Sequence, residues 1–145
     1  MAALRTLLIA EPPADFRVRP PLVVDCSLLA AVLFQEPERD SAEARMAEHV
    51  LLAPVLLDFE IVNVALKKVR NGQTEESIRT ALDCYAASDI VRLEVDAAAL
   101  LPLAQRYRLS AYDAAYLWLA AELKAPLATF DARLGEAARV HLAAL

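Results

Sequence analysis

Leu22-Val23-Val24-Asp25-Cys26-Ser27-Leu28-Leu29 decides how this chain is built. Leu22, Val23 and Val24 read as a buried strand that stops at Asp25. Leu28, Leu29, Val32 and Leu33 then recur at helical spacing, so the strand passes straight into a helix. The rhythm continues towards the C-terminus. Asp40, with Glu43 three residues on, has the form of an N-cap with its capping box and opens a helix to about His49. Residues 51–53 make a second strand closed by Pro54, and residues 55–70 a long helix with Gly72 as its stop. Thr74 begins a helix reaching Ser88, residues 90–95 form a third strand, and residues 96–107 a helix that Pro102 kinks or shifts. Ser110 or Tyr112 opens a helix through Leu123, and Ser110 is a natural cap for it. Residues 126–128 are a fourth strand, residues 132–139 a last helix and residues 140–142 a closing strand. Strands alternating with helices imply βαβ units, hence an α/β fold around a parallel sheet covered on both faces.

Two parts are distinguished. Residues 1–21 carry four of the eight prolines, which block regular structure, and read as a proline-rich arm in which residues 4–10 are a short edge strand or a packing segment. Residues 22–145 are the domain. Alanine and leucine fill 55 of 145 positions, which favours helix, and 58% apolar residues suffice for a substantial core. Two isolated glycines, Gly72 and Gly135, cannot build a phosphate-cradling loop, so nucleotide folds of that kind are excluded. Cys26 and Cys84 stand far apart, which argues against a disulfide scaffold or structural zinc and for a reduced, cytoplasmic interior. No early apolar run approaches the ~20 residues of a membrane span, and no signal peptide is evident.

The formal charge of −5 does not suggest a broad basic surface for nucleic acid. The surplus is uneven, however. Residues 1–65 hold five basic and ten acidic groups, residues 66–145 ten of each. Glu36, Glu38, Asp40, Glu43 and Glu48 account for much of it and read as a solvated helix face.

In a parallel α/β fold, ligands collect outside the carboxyl ends of the strands. Asp25 directly follows one strand and Asp131 comes three residues after another, although either also suits a helix N-cap. Glu60 and Asp113 lie within helices among apolar neighbours, and Asn63 extends the polar face of Glu60. For these two the plain reading is an exposed stripe or, for Asp113, a cap. Four carboxylates converging on one sheet edge would repel one another, and hard divalent cations relieve such repulsion. His49 and His141 stand alone, so zinc is disfavoured.

Four segments, VVDCSLL (residues 23–29), DFEIVNVALKK (58–68), LSAYDAAYLWLA (109–120) and TFDARL (129–134), occur in an order and at intervals that resemble the PIN domains, and among them the VapC-like ribonuclease toxins of bacterial toxin–antitoxin pairs. The likeness spans residues 22–142. It implies a three-layer α/β/α sandwich and RNA cleavage dependent on Mg²⁺ or Mn²⁺. Asp25, Glu60, Asp113 and Asp131 match the family's acidic positions, where they would serve as metal-holding catalytic residues. Ser27 matches the hydroxyl following the first aspartate, and Asn63 and Thr129 the supporting polar positions. The resemblance also implies a protein antitoxin that silences the enzyme and a homodimer. The arm is longer than the family needs.

Lys67, Arg106 and Arg133, with Lys68, Arg70 and Arg108 behind them, are candidates for phosphate contact, although Lys67, Lys68 and Arg70 also suit a helix C-terminus. Trp118 at helical spacing reads as packing rather than a base-stacking platform. Two rivals are kept. An aspartate-based phosphatase of the haloacid-dehalogenase kind wants a second aspartate two residues after Asp25, where Ser27 stands. A partner-binding module without activity would not need all four acidic positions filled. With those four set aside, 16 acidic groups stand against 15 basic ones, so the acidity describes a pocket rather than a repelling surface.

Overall fold

The computed structural model describes residues 8, 10 and 19–145, so the strand expected at residues 4–10 and most of the arm lie outside the described residues. The elements run β1 (Pro21–Val24), α1 (Cys26–Leu33), α2 (Arg39–Met46), β2 (Val50–Pro54), α3 (Leu57–Arg70), α4 (Glu75–Ala86), β3 (Val91–Leu93), α5 (Ala97–Tyr107), α6 (Ala111–Leu123), β4 (Leu127–Ala128) and α7 (Ala132–Ala143). All strand pairs are parallel, in the order β3-β2-β1-β4.

That order places the site. The chain lays β2 and then β3 on one side of β1 and returns with β4 on the other. The sheet therefore has its topological switch point between β1 and β4, where the connections leave in opposite directions and open a crevice at the carboxyl ends. Val24 pairs with Ala128, so the residues immediately beyond, Asp25 on one side and Thr129 on the other, face that crevice together.

Leu22, Val23 and Val24 are all fully buried. Successive strand residues point to opposite faces, so complete burial of all three shows that helices cover both sides of the sheet. α6 packs on β1, β2 and β4 and against α5 and α7, while α1 packs against α2, α3 and α4. α6 is the central helix. Its Ala114, Ala115, Tyr116, Leu117, Leu119 and Ala120 are all buried, so it is apolar around most of its circumference, as an interior helix must be.

Three expectations need correction. Residues 140–142 continue α7 rather than forming a strand. Leu134, Ala137, Ala138 and Leu142 follow helical spacing against the core, and the helix pattern prevails over a short apolar run. Asp40 is not the cap of α2: the helix already begins at Arg39, with Glu38 before it and no side-chain cap bond, and ends at Met46. Glu43 binds Arg39 at 2.8 Å instead of reaching back to the helix start. Pro102 does not shift the start of α5, which opens at Ala97 after the Asp96 cap and runs through the proline, forgoing one backbone hydrogen bond. Gly72, at φ 96°, follows α3 as expected in a conformation that favours glycine.

The core makes a simple forecast. Leu117→Ala, at a fully buried position, should cost about 2–5 kcal/mol in urea unfolding. Leu101→Ala, on the exposed side of α5, should stay within about 0.5 kcal/mol of the parent.

Candidate active site

Asp25 is the one buried charged residue among the described residues. It ends β1 and caps α1, its Oδ1 accepting from the Leu28 backbone N–H at 3.2 Å. Ser27 Oγ donates to the same oxygen at 2.6 Å, and Thr129 Oγ1 donates to Oδ2 at 2.5 Å. Both hydroxyls are themselves held, Ser27 from across the crevice and Thr129 from within its own loop. Phe130 N–H donates to Ser27 Oγ at 2.8 Å and Asp131 N–H to Thr129 Oγ1 at 2.9 Å. Ser27 and Thr129 thus tie the end of β1 to the loop after β4, and Asp25 is oriented from two elements. Asp131 caps α7 through the Leu134 N–H at 2.8 Å and is exposed. The cap reading of Asp25 and Asp131 is therefore correct for both, yet it uses only part of each carboxylate. A carboxylate has about four acceptor positions, and Oδ2 of Asp25 retains one.

Glu60 and Asp113 arrive from helices. Both sit in a first turn, Glu60 in α3 and Asp113 in α6, and Ser110 caps α6 by accepting from the Asp113 N–H at 3.1 Å. The four carboxylates thus stand at the N-terminal ends of four different helices, where the helix dipole favours negative charge. They also feel one another. Burial raises the Glu60 pKa, against the hydrogen bond from Tyr116, and the charges of Asp113 and Asp25 raise it further. Asp113 is likewise raised by partial burial, then by Asp131 and Asp25, against Arg133. Asp25 is raised by desolvation despite its donors. The charges of Asp113 and Asp25 thus reach Glu60, and those of Asp131 and Asp25 reach Asp113.

The polar neighbours divide. Lys67 lines a cavity of about 370 Å³ with Glu60, Asn63, Phe59 and Tyr112, and Arg133 is close enough to Asp113 to lower its pKa. Asn63 is exposed on the wall of that cavity. Arg106 is elsewhere: it packs over the Tyr107 ring and lines a separate groove with Trp118 and His141. Lys68 is engaged by Glu36 at 2.9 Å. Trp118 packs against the core. Cys26 borders the site, but burial and then Glu60 and Asp25 push its thiol up to about 12, so it stays protonated and is no nucleophile.

Two partners were not foreseen from the sequence. Tyr116, buried on α6, donates to Glu60 Oε1 at 2.7 Å. Its position three residues after Asp113 puts it near the same helix face, which was the available signal. Asp58 accepts from Tyr85 at 2.5 Å and from Arg92 at 3.2 Å, locking the first turn of α3 to α4 and β3.

Among the described residues, no three His, Cys, Asp or Glu side chains stand close enough to enclose one ion. The donor set still suits a hard cation. It is all carboxylate, mutually repelling and open to solvent on the Asp131 side, and Mg²⁺ commonly takes only one or two carboxylates while keeping water and substrate phosphate oxygens.

Raised carboxyl pKa values favour the fold at acid pH, and this contribution is lost as pH rises through the shifted values. Without added cation, Asp113→Asn should therefore raise the melting temperature at pH about 7 and flatten its fall between mildly acid and neutral pH. Asp25→Ala should instead lower the melting temperature, losing about 1–3 kcal/mol with its cap and its two hydroxyl partners. Thermal unfolding across that pH range separates the two roles.

The comparisons with known proteins agree with this architecture. The family model described as PIN domain matches residues 22–140. The crystal structure of PAE2754 from Pyrobaculum aerophilum superposes with a TM-score of 0.62 at 22% identity, covering 91% of this chain and 96% of that one, which speaks to the fold. No curated protein sequence matches the chain. PIN domains are in general nucleases that work with divalent metals. With the family model extending over nearly all of the sheet and its helices, the chain belongs to the PIN domain family.

Proposed function

We propose that the chain is an endoribonuclease dependent on Mg²⁺ or Mn²⁺, acting as the VapC-like toxin of a toxin–antitoxin pair. The observation that carries this reading is the set of carboxylates around the buried Asp25: its charge and that of Asp113 act on Glu60, and its charge and that of Asp131 act on Asp113. Such a concentration of unneutralised carboxylate is costly in a protein with no use for a cation.

Asp25, Glu60, Asp113 and Asp131 would be the metal-holding residues, one or two of them ligating a given ion while water and phosphate oxygens complete its shell. The chemistry it supplies when bound is polarisation of a phosphoryl oxygen and activation of water near neutral pH. Ser27 and Thr129 fix the Asp25 carboxylate, so that its free acceptor position is presented without reorganisation. Lys67 beside Glu60 and Arg133 near Asp113 would give phosphate oxygens cationic partners. Helix N-termini at Asp25 and Asp131 add backbone N–H groups of the kind that favour anions.

The partner readings rest on apolar surface. Phe59 and Tyr112, both well exposed, border the cavity beside Glu60, which suits a segment of an antitoxin covering the site. Val62 and Leu66 continue Phe59 along α3 at helical spacing, a stripe that suits pairing of two copies. Free thiols at Cys26 and Cys84 fit a reducing cytoplasm, and among the described residues no helix is long and apolar enough to cross a membrane.

Incubation of a total RNA pool with the purified chain tests the reading. Cleavage should require Mg²⁺ or Mn²⁺, stop with EDTA, and fall about 100-fold or more in Asp113→Asn, since loss of a ligand exceeds the 10–100-fold typical of its supports. Equal cleavage in every condition would betray a contaminant and remove the metal mechanism. Phosphatase activity without RNA cleavage would favour the aspartate-nucleophile reading, and no activity together with no cation binding would favour a binding module.

A further inference from the structure

Tyr116 is fully buried, and it is the largest such side chain among the described residues. A phenylalanine would fill the same space with no polar group to satisfy, so the hydroxyl needs its own explanation. It has one partner in the structure, Oε1 of Glu60, at 2.7 Å across from α6 to α3. The bond is made to the longest side chain of the acidic cluster. Asp25 is held by Ser27, Thr129 and the Leu28 N–H, and Asp131 by its own cap, whereas Glu60 has a longer side chain and no backbone partner. It also borders an open cavity into which its carboxylate could swing.

We propose that Tyr116 is a positioning residue that holds the Glu60 carboxylate towards Asp113 and Asp25, so that α6 supplies both one acidic ligand and the tether for another. This rests on the divalent-cation reading above. The bond takes one acceptor position of Oε1 and leaves Oε2 free to face the cluster. Tyr116 itself touches neither cation nor substrate; it acts through Glu60.

The test is a calorimetric titration of Mn²⁺ into the metal-free full chain, as wild type, Tyr116→Phe, Glu60→Gln and the double variant. Tyr116→Phe should weaken Mn²⁺ binding about 10-fold, in line with the loss of an outer-shell hydrogen bond, while its melting temperature stays near that of the wild type. In the Glu60→Gln background the same change should add nothing, because the residue it positions is already disabled. A Tyr116→Phe chain that binds as the wild type does overturns the proposal, as does a loss that adds in full to that of Glu60→Gln. Should Tyr116→Phe fail to fold, Glu60→Asp breaks the same bond from the other end by one methylene. It should weaken binding about 10-fold or more, and wild-type affinity would overturn the proposal. If the wild type itself binds no Mn²⁺, the functional reading falls and this one with it. If Glu60→Gln weakens binding and Tyr116→Phe does not, only the positioning role falls.

Discussion

A carboxylate buried at the end of the central strand is the constraint around which this molecule is arranged. Asp25 lies where β1 stops, out of water, and a charge in such a place must be surrounded by donors or give up its charge. The chain supplies those donors from two directions: Ser27 and the Leu28 N–H from the start of α1, Thr129 from the loop after β4. The same bonds tie together the two walls of the crevice between β1 and β4, so satisfying Asp25 and building the switch point are one structural event. The pairing of Val24 with Ala128 places those partners within reach.

Around this centre the acidic groups repeat a single solution. Asp25 and Asp131 cap α1 and α7, and Glu60 and Asp113 occupy the first turns of α3 and α6. Each charge therefore sits at a positive helix end, which partly offsets the desolvation that is the first cause of the raised pKa values of Asp25, Glu60 and Asp113. Structure and chemistry draw on the same residues. Capping does not compete with ligation, because a cap uses one acceptor position of a group that has about four. The net charge of −5 is accordingly a poor guide to the surface, since Asp25 is buried and Glu60 and Asp113 are half-buried.

The elements that carry the site were readable where the signal is local. A strand ending at Asp25, helices opening at Ser110 and near Asp131, and a stop at Gly72 each depend on a few adjacent residues. Local signals also misled. Asp40 and Glu43 have capping spacing, but Arg39 claims Glu43, and the helix starts earlier. Val140 to Leu142 has the apolar character of a strand, but α7 already has an apolar side directed at the core and continues through it. Tertiary bonds were out of reach for a different reason. Tyr116 and Glu60 lie 56 residues apart, and Asp58 lies 27 and 34 residues from Tyr85 and Arg92, so only the completed packing brings them together. The same holds for Arg106, whose sequence position near the third motif says nothing of its seat over Tyr107 in another groove.

That the acidic cluster awaits a cation is the central claim, and protons and cations should then compete for it. The direct measurement is the melting temperature of the wild-type chain with and without Mn²⁺, at neutral pH and at about pH 5, just above the ordinary carboxylate range. Mn²⁺ should raise the melting temperature at neutral pH, and the gain should shrink at acid pH, where protons compete more strongly for the raised carboxyls. No gain at neutral pH, or an equal gain at both, would contradict the claim.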